Sequence, residues 1–180
     1  MIPIERRGFI TGAAAALAAS TMPAFANIPS AAAKTLAFNN IHTGERLTVD
    51  YWVEGRYLPD ALQSINHLLR DFRTGEVHPI EPRLMDLLTA LRTNLETTEP
   101  FEVISGYRSP TTNASLRAEH EHSGVAAKSL HMQGMAIDIR IPGRTLETLR
   151  SAALTQRAGG VGYYLLSDFV HVDVGRVRTW

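Results

Sequence analysis

The chain has 180 residues, of which 44% are hydrophobic, and its 18 basic and 18 acidic residues give a formal net charge of zero. This composition supports one domain with a hydrophobic core and excludes a disordered chain, while the charge balance gives no reason to expect nucleic acid as a partner. Because cysteine is absent, disulfide bonds, thiolate ligands, cysteine nucleophiles and lipid attachment through cysteine are excluded, and any metal must be held by histidine and carboxylate groups.

The first residues have the organisation of a bacterial export signal. A twin arginine at positions 6 and 7 precedes a weakly apolar, alanine-rich run over 11–20, and a small-residue cleavage site follows at 24–26. This pattern predicts a twin-arginine signal over residues 1–26 and a mature domain over 27–180. We therefore expect the twin-arginine translocase to deliver the folded protein to the periplasm. No membrane span is expected after cleavage, because no segment has the ~20 consecutive apolar residues that a span needs.

Two strands and two helices are predicted for the first half of the mature chain. Apolar and polar residues alternate over 45–52, and together with 34–39 and the turn-forming residues between them they predict a β-hairpin. A first helix is predicted with Asp60 as its cap and Gly75 as its end, and a second helix begins near Pro82. Apolar side chains form one stripe on each helix, at positions 62, 65, 68, 69 and 72 in the first and 84, 87, 88, 91 and 95 in the second.

The second half is predicted to contain more strands than helices. Strands are predicted at 101–105, 136–141, 161–165 and 169–174, with a helix or loop from 114 to about 122. Thr145 is placed to cap a last helix, which the glycines at 159 and 160 would end. We therefore expect a single α+β domain with a central, mainly antiparallel sheet and flanking helices.

The last predicted strand carries polar side chains on one face. If residues 169–174 are extended, Phe169, His171 and Asp173 project to one side and three valines project to the other. The valine side is expected to face the core. An imidazole and a carboxylate are costly to bury without partners, so this strand is either a solvent-facing edge or one half of a polar site.

A complementary pair of residues lies upstream. Gly134 allows a tight turn between a loop that carries His131 and a strand in which the small Ala136 shares a face with Asp138. His131 and Asp138 can therefore converge, and His171 can complete a set of three ligands. Two imidazoles and a carboxylate with one open position suit zinc, which lowers the pKa of a bound water to about 7.

Three ordered motifs carry a family resemblance. The pattern Ser-x-His-x-x-Gly-x-Ala-x-Asp is met over 129–138, an acidic residue stands three positions before His171, and Arg108 lies in a Ser-Gly-Tyr-Arg-Ser-Pro segment over 105–110. Together they resemble the signature of the lysostaphin, D-Ala-D-Ala metallopeptidase and hedgehog superfamily. The periplasmic murein endopeptidases of that superfamily are the most similar group. The resemblance implies a hedgehog/D,D-peptidase-like fold and an exported zinc peptidase.

The resemblance also implies roles for individual residues. His131, Asp138 and His171 would be the ligands of one Zn²⁺ ion per chain. Asp168 would be the general base that activates the water and later protonates the leaving amine, and Arg108 would stabilise the oxyanion. Asp168 stands where many family members have glutamate, so its carboxylate must lie about a methylene closer to the water or act through a second water.

Several neighbouring residues have two open interpretations. Asp173 either orients a ligand by accepting its free imidazole N–H or pairs with an arginine at 176 or 178. Ser129 either binds the backbone of the ligand loop, which we favour, or contacts substrate. Tyr163, together with Tyr164, is expected to wall the cleft. The histidines at 120 and 122 lie in a run of glutamates and histidines that is typical of a solvated face.

The residues and the resemblance together predict a monomeric murein endopeptidase acting on peptidoglycan peptides, at D-Ala–diaminopimelate or diaminopimelate–diaminopimelate bonds. A D,D-carboxypeptidase of the same fold and a non-catalytic wall-binding module are the alternatives. A non-haem iron oxygenase, which also uses a His-x-Asp pair, is disfavoured. Its second histidine usually lies downstream of that pair, and none follows Asp173 in this sequence.

Overall fold

A computed structural model describes residues 32–119 and 125–180, which belong to one compact unit. The helices are α1 Pro59–Leu68, α2 Pro82–Asn94, α3 Pro110–Ala118 and α4 Leu146–Gln156, with one 3₁₀ helix at Leu130–Gln133. The strands are β1 Ala33–Asn40, β2 Arg46–Val53, β3 Arg56–Tyr57, β4 Phe101–Ser105, β5 Ala136–Arg140, β6 Gly160–Tyr164, β7 Phe169–Asp173 and β8 Arg178–Thr179. The predicted export signal, residues 1–26, lies outside the described residues.

One eight-stranded sheet organises the fold, in the order β3-β2-β1-β4-β5-β7-β6-β8. Neighbouring strands are antiparallel except for the pairs β1–β4 and β6–β8, which are parallel. The predicted β1–β2 hairpin and the predicted α+β class with a mainly antiparallel sheet are therefore confirmed. None of the helices in the described part of the chain is long and apolar enough to cross a bilayer.

The core lies between one face of the sheet and the helices. Helix α1 packs on β2, α2 on β1, and α4 on β6 and β7. The alternation of each central strand directs Ile137 and Ile139 of β5, and Val170 and Val172 of β7, into this core, where all four are fully buried. The alternate residues of the same strands therefore lie on the opposite face, where Asp138 and His171 meet.

Four predicted helix boundaries differ from the structure. Asp60 lies in the first turn of α1 and the cap residue is Leu58, so the prediction of Asp60 as the cap is wrong. Helix α1 begins at Pro59 and ends at Leu68, so the predicted end at Gly75 is wrong. The chain turns after Leu69 because the Leu69 carbonyl accepts a hydrogen bond from the Tyr107 backbone N–H (2.7 Å), a tertiary contact that a helical periodicity does not reveal. Helix α3 begins at Pro110 with Ser109 as its cap, earlier than predicted.

Helix α4 has the predicted start and an earlier end. The Thr145 side chain accepts a hydrogen bond from the Thr148 backbone N–H and caps the helix as expected. The helix ends at Gln156 because Arg157 adopts a left-handed conformation (φ 50°), so the following glycines are not its terminator. Gly160 instead begins β6.

Candidate metal centre

The three predicted ligands are brought together by two central strands and the 3₁₀ helix. His131 lies in the 3₁₀ helix, which Ser129 caps by accepting a hydrogen bond from the His131 backbone N–H (3.3 Å). Asp138 on β5 lies directly opposite His171 on β7 in the antiparallel register. Residues 40 positions apart in the chain therefore share one buried point on the face of the sheet that is away from the core.

Their inward atoms form a tight triangle. His131 Nε2 lies 3.2 Å from Asp138 Oδ1 and 3.1 Å from His171 Nδ1, and the third side, His171 Nδ1 to Asp138 Oδ1, is 2.8 Å. Two nitrogens and one oxygen match the donor types that zinc accepts in a three-ligand site.

The outer nitrogen of each imidazole is already bonded. His131 Nδ1 donates to the Gly106 carbonyl (2.7 Å), and His171 Nε2 donates to Asp173 Oδ2 (3.0 Å). When the rings are neutral, as metal binding requires, each presents a lone pair to the centre, where it faces Asp138 Oδ1 and the other ring. Three acceptors this close repel one another unless a cation or a shared proton lies between them, so the residues fit a bound metal.

The contacts among the predicted ligands shift the pKa values of Asp138 and His171. Burial alone raises the pKa of Asp138, but His131 and His171 outweigh burial and hold that pKa well below its usual range. Burial alone lowers the pKa of His171, whereas its hydrogen bonds to Asp138 and Asp173 raise it to about 9. Without a metal, His171 is therefore protonated at neutral pH and shares its inward proton with Asp138, and a metal ion would have to displace that proton to bind. The Asp138 carboxylate is thus ionised and available as a ligand at neutral pH.

Asp173 makes both of the contacts that the sequence left open, one with a ligand imidazole and one with an arginine. Its Oδ2 accepts from His171 Nε2 (3.0 Å) and from Arg178 Nη2 (2.7 Å), and its Oδ1 accepts from the backbone N–H groups of Gly160 and Gly175. The arginine partner is Arg178. A carboxylate held on both oxygens fixes the orientation of the His171 ring.

Arg108 lies beside the three donors. Its side chain is 11% exposed, and Nη2 is 3.5 Å from Asp138 Oδ2. Within the described residues its buried Nε has no hydrogen-bond partner. Burial lowers its pKa, which Asp138 partly offsets. A desolvated guanidinium with an unused donor is well suited to bind an oxygen atom of a ligand.

The three predicted ligands and Arg108 line a cleft of about 580 Å³. Tyr164, Phe169 and Trp180 form an aromatic wall, in which Tyr164 stacks on Phe169 (4.5 Å) and Trp180 Nε1 donates to the Tyr164 hydroxyl (2.7 Å). Trp180 also lies 5.1 Å from the His171 ring and covers Gly162, where a Cβ would be 2.7 Å from the indole. The aromatic wall therefore flanks the donor set on the side of the His171 ring.

The structure does not place Tyr163 in the cleft, in contrast to the prediction for both tyrosines. The alternation of β6 turns Tyr163 to the helix-covered face, where its hydroxyl donates to Glu147 and its ring lies 5.2 Å from the Arg150 guanidinium. Tyr164, one residue further, does line the cleft.

Asp168 lies near the cleft rather than among its lining residues. Its side chain is 62% exposed, and Oδ2 accepts from Arg140 Nη1 (2.6 Å), while Arg140 also binds Glu102. Asp168 has a left-handed backbone (φ 55°) between Ser167 and Phe169, both of which line the cleft. The structure therefore pairs the predicted base with an arginine and not with the donor set.

Sequence reasoning missed two neighbours of the donor set, the Gly106 carbonyl and Trp180, and gave Arg178 only a surface role. The Gly106 carbonyl is a backbone group, which no residue pattern reveals. Arg178 was considered only as a surface partner of Asp173. Trp180 was not considered, although a tryptophan two residues beyond an arginine on a short strand shares that arginine's face. The histidines at 120 and 122, which are predicted to lie on a solvated face, are outside the described residues.

Gly134 supports the ligand loop in a way that can be tested. Its φ is 65°, and a Cβ there would lie 2.2 Å from the Pro79 carbonyl oxygen. We expect Gly134→Ala to lower the free energy of unfolding by about 2 kcal/mol or more, since a left-handed alanine alone costs about 1–2 kcal/mol and the clash with the backbone adds to this.

Urea unfolding measures this loss, and Gly143→Ala is the matched control. Gly143 has a similar φ of 72°, but a Cβ there has nothing within 4 Å. Equal losses in the two variants would show that the contact with Pro79 does not matter.

Comparison with known proteins identifies the class of this protein as the D-Ala-D-Ala peptidase-like superfamily, and the fold and the His/Asp/His donor set agree with it. A family model described as peptidoglycan L,D-endopeptidase MepK matches residues 28–180. The MepK protein of Escherichia coli K12 is 42% identical over 178 residues, which cover 98% of this chain and 97% of that protein. The probable MepK of Haemophilus influenzae is 40% identical over 179 residues, which cover 98% of this chain and 95% of that protein. The chain belongs to the peptidoglycan L,D-endopeptidase MepK family.

Proposed function

We propose that the protein is a zinc-dependent endopeptidase that hydrolyses peptide cross-links of peptidoglycan. The observation that carries this proposal is the buried triangle of His131, Asp138 and His171, whose inward lone pairs converge beside a cleft. The proposed location is the periplasm, reached through the twin-arginine pathway, and the proposed state is a monomer.

The name of the relatives favours one of the two predicted bonds. In a link between two diaminopimelates, the carbonyl belongs to an L-configured carbon and the amine to a D-configured carbon, which makes it an L,D bond. The D-Ala–diaminopimelate link is a D,D bond. We therefore propose the diaminopimelate–diaminopimelate cross-link as the main substrate.

The proposed mechanism assigns the chemistry to few side chains. His131, Asp138 and His171 would hold the metal. When bound, zinc lowers the pKa of a coordinated water to about 7 and acts as a Lewis acid toward a carbonyl oxygen. Arg108 donates hydrogen bonds to the carbonyl oxygen of the scissile bond as negative charge develops there. Asp173 keeps the His171 ring in its tautomer and orientation.

Proton transfer is assigned to Asp168. Its carboxylate would accept a proton from the attacking water and deliver it to the leaving amine. Asp168 lies between two cleft-lining residues, so a change of its side-chain rotamer, with release of Arg140, is the movement that this role requires. Tyr164, Phe169 and Trp180 offer an apolar surface for the substrate beside the donor set.

Digestion of purified peptidoglycan tests the proposed function. We expect mass spectrometry of the products to show loss of diaminopimelate-linked dimers, with activity removed by a chelator and restored by zinc. Release of terminal D-alanine alone would support the carboxypeptidase alternative. Binding to the wall material without any cleavage by the metal-loaded protein would support the wall-binding module.

A further inference from the structure

The cleft carries more positive charge than the proposed reaction uses. Arg73, Arg108, Lys128 and Arg178 line it, and within the described ranges Asp138 is the one acidic residue that does so. Asp138 belongs to the donor set, and Arg178 is paired with Asp173. An excess of cationic side chains therefore remains on the wall that carries Arg73 and Arg108.

A buried carboxylate joins the two backbone segments that carry these arginines. Asp71 Oδ1 accepts from the backbone N–H of Arg73, and Asp71 Oδ2 accepts from the backbone N–H of Ser109, the residue after Arg108, both at 2.9 Å. Asp71 is 2% exposed. Burial alone raises its pKa, but its hydrogen bonds outweigh burial and lower the pKa to about 2. One ionised side chain thus fixes both arginine-bearing segments.

Arg73 has a defined position but no anionic partner. Its guanidinium lies 4.3 Å from the centre of the Phe72 ring, and His42 stacks on the same ring at 3.9 Å. No carboxylate in residues 32–119 or 125–180 pairs with Arg73, and its charge contributes to lowering the pKa of Arg108. The two guanidinium groups repel each other, the Asp71 carboxylate offsets this repulsion in part, and a bound anion would relieve it further.

The substrate class offers an anion at a suitable place. In a diaminopimelate cross-link, the carbon that bears the leaving nitrogen also bears a free carboxylate. That carboxylate is separated from the scissile carbonyl by only the nitrogen and one carbon. Arg108 is 3.5 Å from Asp138 of the donor set, and it also interacts electrostatically with Arg73, which lines the same cleft.

We propose that Arg73 is a specificity-determining residue that binds the free carboxylate on the carbon of the leaving nitrogen, while Arg108 serves the neighbouring carbonyl oxygen. This inference rests on the proposed hydrolysis of cross-links for the identity of the ligand. It also gives a reason for the position of Asp71, which sets the spacing between the two arginines.

Binding of a product tests the subsite without any need for cleavage. The probes are a tripeptide that ends in meso-diaminopimelate and the same tripeptide with the carboxylate next to the free D-amine converted to an amide. We expect the wild-type protein to bind the acid about tenfold or more tightly than the amide, because charge-assisted hydrogen bonds to carboxylates are strong. Arg73→Ala should bind the acid as weakly as the amide, and Arg73→Lys should recover part of the difference.

Arg56→Ala is the matched control, since Arg56 is exposed on β3 at the opposite end of the sheet. It removes the same charge and should keep the wild-type preference. Titration calorimetry on zinc-loaded and chelator-treated protein separates this inference from the proposed function. If the protein cleaves no cross-link but keeps the acid preference in an Arg73-dependent way, the hydrolytic function fails and the subsite stands. Equal binding of acid and amide by the wild type, or the same result for Arg73→Ala and Arg56→Ala, overturns the subsite.

Discussion

His131→Ala and His171→Ala are expected to lose bound zinc and all measurable hydrolysis of cross-linked peptides. Each removes one of three donors whose inward atoms lie 2.8–3.2 Å apart. Loss of a residue that merely orients a ligand typically costs 10–100-fold in metal affinity, and loss of a ligand should cost more than that. His171→Ala also leaves buried Asp173 without its imidazole partner.

Metal content by mass spectrometry and zinc affinity by competition with a chelating dye measure this effect. His67→Ala is the matched control, because His67 is exposed and its nearest acidic group, Glu45, is 3.7 Å away. It should keep one zinc per chain. The melting temperature gives an independent measure, since a ligand that binds the folded state raises it. Stoichiometric zinc in His171→Ala would contradict the proposed ligand set.

Asp168→Asn is expected to keep zinc and to lower kcat by about 10²–10⁴-fold, the usual contribution of a general base. The amide keeps the size of the side chain but cannot take a proton. The competing explanation is that Asp168 is only the exposed partner of Arg140, and an ion pair at the surface contributes about 1 kcal/mol or less to stability. In that case turnover would hardly change.

Glu102→Gln separates these two explanations, because Glu102 binds the same arginine at 2.6 Å. Both substitutions weaken the Arg140 ion pairs, but only Asp168 lies between residues that line the cleft. We expect Glu102→Gln to stay within about threefold of wild-type kcat, since loss of such an ion pair costs little. Steady-state kinetics on a purified cross-linked dimer measure kcat for both variants. If both have wild-type turnover, the base must be another group.

Those parts of the fold and site that follow from local patterns could be predicted from the sequence. The period-two alternation of β7 placed His171 and Asp173 on one face and the valines in the core, as observed. The spacing of His131, Gly134 and Asp138 predicted a turn that brings both side chains together, and the structure has that turn.

Features that depend on distant contacts could not be predicted. The end of α1 is set by a hydrogen bond between Leu69 and Tyr107, which lie far apart in the chain. The left-handed conformation of Asp168 breaks the strand alternation from which its direction would be inferred. The prediction that both tyrosines wall the cleft differs from the structure for Tyr163. The register of β6 against β7 decides which of the two rings faces the cleft, and the tyrosine pair itself does not reveal that register.

The two hydrogen bonds that join His131 to the end of β4 have a geometric consequence. His131 Nδ1 binds the Gly106 carbonyl, and the His131 carbonyl accepts from the Arg108 backbone N–H (3.3 Å). These two hydrogen bonds tie the predicted ligand His131 directly to the segment that carries Arg108. The distance from the donor set to the arginines is therefore fixed, and it limits the length of substrate that can contact both. A substrate with one additional residue between its scissile carbonyl and its carboxylate would be longer by about 3.5 Å and would no longer reach both ends at once.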